Sequence, residues 1–534
     1  MTSFIGKLAL GAMLGSVLVM SVASAQTRGG TLRIYHRDSP PSASIHEEAT
    51  ISTAAPFMAV FNNLFVFNQH SETASPDDIV PELATEWRWN EDNTRLTLRL
   101  REGVKWHDGK PFTSADVKCT WDTIRGERNA GWRKNVRRPW YFNLQDVTTN
   151  GDHEVTFHLG RPQPSFISFL ATGMSPVYPC HVDGRVMRQR PIGTGPFRVV
   201  EFRPNSHIRL ARNPDYWKPD RPFLDAIEWR IIPSRSTRIL AFTAGEFDMT
   251  FPWDVTIPLV RDVRSQAPTA QCEVKPSNVA AQLLINREAE PFNRPEVRRA
   301  VALTLDRNAF NTILGEGQLA LGGVMLPPPH GQWGLTAEDL AEAGVPGYGN
   351  NVEQNREEAR RIMGGLGYGP NNPLRIKVST RDIAIYRDPA VILIDHLKHA
   401  FIEAELEIHD TTVWYTVMAR RNFSLAMNLV GRGIDDPDVG FYESYACGSE
   451  RNYENYCNEE MQRRFDAQSA ETDPQKRLQL VRETDLALQQ DIARPMLYHT
   501  AGGTCWYPHV KGLTIAGNSI YNHWRMEDVW LDRR

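Results

Sequence analysis

The chain is poor in the features that would place it in several large classes of protein. Basic residues number 60 against 64 acidic ones, a formal net charge of −4, so no surplus of positive charge points to nucleic acid or to an anionic membrane as partner. No apolar run reaches the roughly 20 residues of a membrane-spanning helix, and none is longer than the short stretch over residues 8–20. None of the six cysteines has the close CxxC spacing of zinc modules, and a resident metal is set aside on that ground. There is no GxSxG elbow, no HExxH pair and no nucleophile with an assignable base, so catalysis is not expected. A secreted hydrolase, suggested by the many carboxylates and by His396 and His399 on one helix, stands as an alternative. No cofactor is implied either. Gly193, Thr194, Gly195 and Pro196 form a turn, but strand pattern follows it where a phosphate cradle requires a helix. Repeats, heptad runs and low-complexity tracts are absent, which leaves no sign of a solenoid or coiled coil.

What is present begins at the N-terminus. Lys7, the apolar residues 8–20 and the small residues Ala23, Ser24 and Ala25 form the three regions of a secretory signal, with cleavage expected before Gln26. No cysteine stands at that point to carry a lipid. In an exported protein the cysteines are expected to pair, although spacing alone does not decide the connectivity. Cys447 with Cys457 is favoured, because closing the polar loop CGSERNYENYC restricts the unfolded chain by about 3 kcal/mol. At 534 residues the chain exceeds one ordinary core, so more than one domain is expected.

The most informative stretch is PELATEWRWNEDNTRLTLRLREGVKWHDGKPFTSADVKCTWD, residues 81–122. Leu96, Leu98 and Leu100 alternate with Arg95, Thr97 and Arg99, the pattern of a half-buried strand. Thr113 with Asp116 reads as an acidic capping box opening a helix. This stretch resembles the signature of the solute-binding proteins of peptide and nickel ABC importers. GGTLRI (29–34), PIGTGPFRVVEF (191–202), LARNPDYW (210–217) and FNRPEVRRAVALTLDR (292–307) resemble the family's other recurrent segments, in the same order.

The resemblance implies an α/β fold of the periplasmic binding protein-like kind, type II in its large form, with two hinged lobes and an extra domain. It implies domain I over residues 26–65, 191–275 and 501–534, domain II over 66–190 and domain III, the second lobe, over 276–500, after a signal peptide at 1–25. On that division Cys119 goes with Cys180, and Cys272 with Cys505. The crossings near Pro276 and Thr500 are those of a hinge. Read locally, residues 52–67 are apolar at helical spacing. Asp388 and Pro389 read as a helix cap and first turn. Alternating strand and helix in domain III implies a mainly parallel sheet.

GRGIDDPDVGFYES (431–444) follows a strand and resembles the family segment that holds an aspartate against a peptide's α-ammonium. Asp435 takes that place, and a carboxylate suits a desolvated ammonium. The alternative is that Asp435, Asp436 and Asp438 merely make a turn. Arg432 stands where peptide-binding relatives usually carry tryptophan. It suits a carboxylate or phosphate, or folds back onto Asp435 or Asp436. By resemblance Trp253, Asp254, Asn278, Gln282, Trp414 and Tyr415 lie near the cleft, with packing as their other reading. His107 beside Asp108 reads as structural. The implied protein is a freely diffusing, monomeric periplasmic receptor that closes on a peptide or amino-acid-derived solute and delivers it to the transmembrane subunits of an ABC permease. The scaffold also carries opine-like conjugates, organic acids, glutathione, haem, nickel complexes and oligosaccharides. A chaperone-like protein using the cleft loosely is a further alternative.

Overall fold

The computed structural model describes residues 26–532, so the expected signal peptide lies outside the described residues. Three larger sheets organise the molecule. In the first, Thr31–His36 pairs in parallel with Ala226–Ile231, which is followed antiparallel by His207–Arg212 and Phe197–Arg203. The second is an antiparallel set of Ala84–Trp89, Arg95–Leu100, Glu154–Leu159 and Leu144–Thr149. Leu96, Leu98 and Leu100 are buried while Arg95 and Arg99 face solvent, as the alternation predicts. The capping box of Thr113 and Asp116 opens the helix Ser114–Arg125. Asp116 also accepts hydrogen bonds from Trp106 Nε1 and the Cys180 amide, beside the Cys119–Cys180 disulfide.

These two sheets form the first lobe, and their junction explains one departure from the sequence reading. The apolar residues 52–67 give a helix only over Ile51–Phe57, then a 3-10 turn at Met58–Val60 and a strand at Phe65–Phe67. The turn Gly193–Gly195 crosses directly over Val60, where a Cβ on Gly193 would sit 1.9 Å from the Val60 carbonyl oxygen. No helical continuation fits under that crossing. The expected row of Phe57, Phe61, Leu64 and Phe65 is nonetheless wholly buried. His107 pins the crossing: its Nδ1 accepts from the Gly193 amide and its Nε2 bonds the Gly195 carbonyl. Burial lowers its pKa to about 4, so the ring is neutral and donates through Nε2.

The second lobe is built on a five-stranded sheet in the order Ile402–His409, Leu374–Arg381, Leu425–Gly431, Gln271–Ile285, Met496–Trp506. The first three strands and Met496–Trp506 run in one sense, and only Gln271–Ile285 runs against them, so the sheet is mainly parallel in strand sense, with one reversed strand. The reason is topological. Gln271–Ile285 carries the chain into this lobe and Met496–Trp506 carries it out, so the two must run in opposite senses. They pair over residues 271–276 with 501–506 and, after an irregularity at 276–280, over 280–282 with 496–499. Cys272 and Cys505 join them by a disulfide, and Cys447 and Cys457 close the polar loop. Asp388 does not cap its helix, which begins at Ala384 and contains Pro389 in its interior. Asp382 stays bonded to His409 and the chain turns at Ile383, so the helix starts before the proline; Asp388 instead pairs with Arg235 of the first lobe at 2.9 Å.

Candidate ligand site between the lobes

Polar side chains cross from one lobe to the other in a buried cluster. Asp38 follows the first strand of the first lobe, and Arg381 ends the second-lobe strand Leu374–Arg381. Arg381 Nη2 donates to Asp38 Oδ2 at 3.0 Å and to Thr411 Oγ1 at 2.7 Å, and Nη1 donates to Tyr386 Oη at 2.7 Å. Ser52 and Thr411 hydroxyls donate to the same carboxylate. Burial pushes the Asp38 carboxyl up, but Arg381 and the other donors outweigh it and hold the group below the usual range. Other contacts across the lobes are Trp140 Nε1 to Glu443 at 3.0 Å, and Gln163 and Ser165 to Asp438 at 3.0 and 2.6 Å. The lobes are closed on each other.

Beside this cluster is a small enclosed cavity, about 40 Å³, walled by Arg37, Thr50, Trp253 and Tyr521 of the first lobe and Tyr386 and Gly431 of the second. A wider cavity of about 350 Å³ shares Ala49 with it and is walled by Glu48, Lys134, Tyr415, Arg451 and Tyr453 among others. Gly431 is required where it stands. A Cβ there would lie 2.5 Å from Tyr521 Oη, so any side chain would push against the opposite lobe.

The loop after Leu425–Gly431 separates its three aspartates by environment. Asp436 caps the helix Pro437–Ser444 and pairs with Arg477 through both oxygens, at 2.8 and 3.0 Å. Asp438 accepts four side-chain hydrogen bonds, from Gln163, Ser165, Gln468 and Ser469. Asp435 keeps part of its surface open, while its Oδ1 is buried without a hydrogen-bond partner. Desolvation pushes its carboxyl up to about 7, against the opposing pull of Arg432 and with the help of Asp436. A carboxylate left unpaired in a loop held between lobes is poised to take a cation. The loop is so held because Thr172 Oγ1 and Asn522 Nδ2 of the first lobe both donate to the Gly433 carbonyl.

The other residues singled out from sequence fall in different places. Trp253 lines the small cavity, in a left-handed backbone conformation (φ 52°) and edge-on to Trp524. Asp254 is tied to Arg238 by two hydrogen bonds of 2.6 and 3.0 Å inside the first lobe. Asn278 donates to the Arg432 carbonyl, and Gln282 accepts from Arg494, both within the second lobe. Trp414 is wholly buried among Leu284, Met418 and Ala426. Tyr415 lines the wider cavity. Arg432 is folded into the second lobe, wholly buried, with Nη1 3.4 Å from the Asn278 carbonyl and with Nε and Nη2 unpaired. Neither it nor Asp435 lines either of the two cavities. Sequence reasoning missed Asp38, Arg381 and Tyr386. A charged residue ending a strand was the available signal for Arg381, whereas its partner stands 343 positions away.

Two bodies joined by two strands, with cavities between them, are the build of a two-lobed binding protein. The chain belongs to the bacterial extracellular solute-binding proteins, family 5, whose middle-region model matches residues 78–452. Over 508 residues it is 24% identical to a probable di/tripeptide-binding protein 5 of Pseudomonas aeruginosa, covering 88% of this chain and 90% of that protein. It is 27% identical to the glutathione-binding protein GsiB of Escherichia coli over 250 residues, 46% of this chain and 47% of that one. Among solved structures it is similar in fold to the periplasmic binding protein DppA of Helicobacter pylori in complex with the peptide STSA, with a TM-score of 0.81, 20% identity and coverage of 95% and 99%. It is equally similar to AgaA of A.tumefacien R10 in complex with agropinic acid, with a TM-score of 0.82, 20% identity and the same coverage. The fold is that of the type II periplasmic binding proteins.

Proposed function

We propose that this protein captures a peptide or amino-acid-derived solute between its lobes and delivers it, chemically unaltered, to the permease of an ABC importer. The observation that carries this reading is Asp435, the one carboxylate of its loop with a buried oxygen lacking a partner, in a chain of this family. A solute ammonium there gains a charge-assisted hydrogen bond as closure removes water. The named relatives support the solute class, since one is described as binding di- and tripeptides and another glutathione. The agropinic acid carried by AgaA favours a second reading, an opine-like solute held in the same cleft. Along with this go export through the N-terminal signal, a monomeric state, the domain division at residues 66, 191, 276 and 501, and no catalysis. Trp253 and Tyr415 remain with Asp435 as proposed contacts on the strength of the cavities they line. Tyr386, which also lines the small cavity, joins them.

Native mass spectrometry of the protein purified from its own host tests the proposal. A co-purifying mass of peptide or amino-acid-conjugate composition is expected. Steady turnover of peptides or esters, or no co-purifying mass and no thermal shift across peptides and organic acids, would overturn it.

A further inference from the structure

The cleft is divided, and its two compartments differ nearly ninefold in volume, at about 40 and about 350 Å³. The inner one has room for only about three waters, so a solute larger than that reaches the outer one. Arg381 marks the division. Its guanidinium lies 4.6 Å from the ring of Tyr386, a wall of the inner compartment, and 5.8 Å from that of Tyr415, a wall of the outer.

The charges around the outer compartment are almost all balanced by neighbours. Glu47 is paired with Arg133 and Arg188, and Glu48 accepts from Ser42 and Arg133. Arg451 pairs with Glu443, and Arg421 lies 3.4 Å from Glu288. Glu450 accepts from the Asn135 amide. Lys134 differs. Its ammonium lies 5.1 Å over the ring of Tyr415 and acts on Glu48 only at longer range; among the described residues it has no ion pair. A ring face steadies an ammonium without neutralising it.

We propose that the outer compartment is a subsite for an acidic side chain of the solute, bound by Lys134 against Tyr415, so that the protein selects peptides with a side-chain carboxylate over those whose only carboxylate is C-terminal. This rests on the solute-binding reading above. A carboxylate at that place supplies the missing partner of Lys134 as closure removes water, and an amide of the same shape does not. The other outer acids do not oppose it, because each already has donors of its own.

Calorimetric titration of the full chain with Ala-Glu, Glu-Ala and Ala-Glu-Ala, each against its glutamine counterpart, tests this. At least one glutamate peptide is expected to bind about tenfold more tightly than its glutamine twin. Lys134→Ala should collapse that ratio toward one, and Lys134→Arg should restore it. Equal binding of the two sets to the unsubstituted protein, or a ratio that survives Lys134→Ala, overturns the subsite and leaves peptide capture standing. Failure of every peptide to bind overturns peptide capture, and this subsite with it.

Discussion

Among individual residues, Asp435 stands apart because the two aspartates beside it are occupied. Its neighbours serve a helix cap and a lobe contact, while desolvation, aided by the charge of Asp436, lifts its own carboxyl to about 7. The consequence for stability has a definite sign. With the folded pKa above the unfolded one, the folded protein holds a proton that the unfolded chain has released, so stability falls as pH rises between about 4 and 7 and levels off above. Asp435→Asn should therefore raise the melting temperature at pH 8, with the gain shrinking toward pH 4.5, and thermal melts at the two pH values check it. Binding of a cationic solute should move the opposite way. It requires the ionised form, so affinity should drop by about tenfold per pH unit below pH 7, read by titration at pH 5, 6 and 7. Asp435 was legible in the sequence because its loop resembles a family segment. Arg381 was not. Its strand reads like any other, and the meaning of the arginine depends on Asp38, which only the folded chain brings to it.

At the scale of elements, local chemistry was legible wherever local chemistry decides. The alternation in Arg95–Leu100 and the capping box of Ser114–Arg125 came through intact, since a strand's two faces and a helix's first turn depend on residues a few positions apart. The helix expected from residue 52 stopped early because a turn from residues 193–195 lies across it, and no local pattern records such a crossing. The strand Leu425–Gly431 shows the same dependence in its last residue. Gly431 faces Tyr521 of the other lobe at a separation that leaves no room for a methyl group. Gly431→Ala should lower solute affinity by an order of magnitude or more, an effect of about 1–3 kcal/mol on the closed form, while the melting temperature of the unliganded protein changes little. Parallel calorimetry and thermal melts distinguish this from a general loss of folding, which would lower both.

For the whole molecule, the balance between open and closed forms is set by the contacts that cross the cleft. The Asp38–Arg381 pair, with Thr411, Ser52 and Tyr386 around it, joins one lobe to the other and is buried between them. Removing the carboxylate leaves a buried guanidinium without its counter-charge, at a cost of about 3–5 kcal/mol that opening relieves by readmitting water. Asp38→Ala should accordingly shift the protein toward the open form, seen as a larger radius of gyration in small-angle scattering; superimposable curves would show that other contacts dominate closure. Crossings are expected from the sequence near Pro276 and Thr500, and the strands Gln271–Ile285 and Met496–Trp506 contain those positions. That they lie side by side in a single ribbon was not legible, because strand pairing between residues more than 200 positions apart leaves no mark on either segment.

That ribbon governs how the lobes travel. Two adjacent strands give the molecule one line about which to bend, as a book has a spine. The covalent tie between Cys272 and Cys505 joins the two strands of that spine at paired positions, so one strand does not slide along the other. A hinge built this way brings the same faces together at every closing, with Asp38 opposite Arg381.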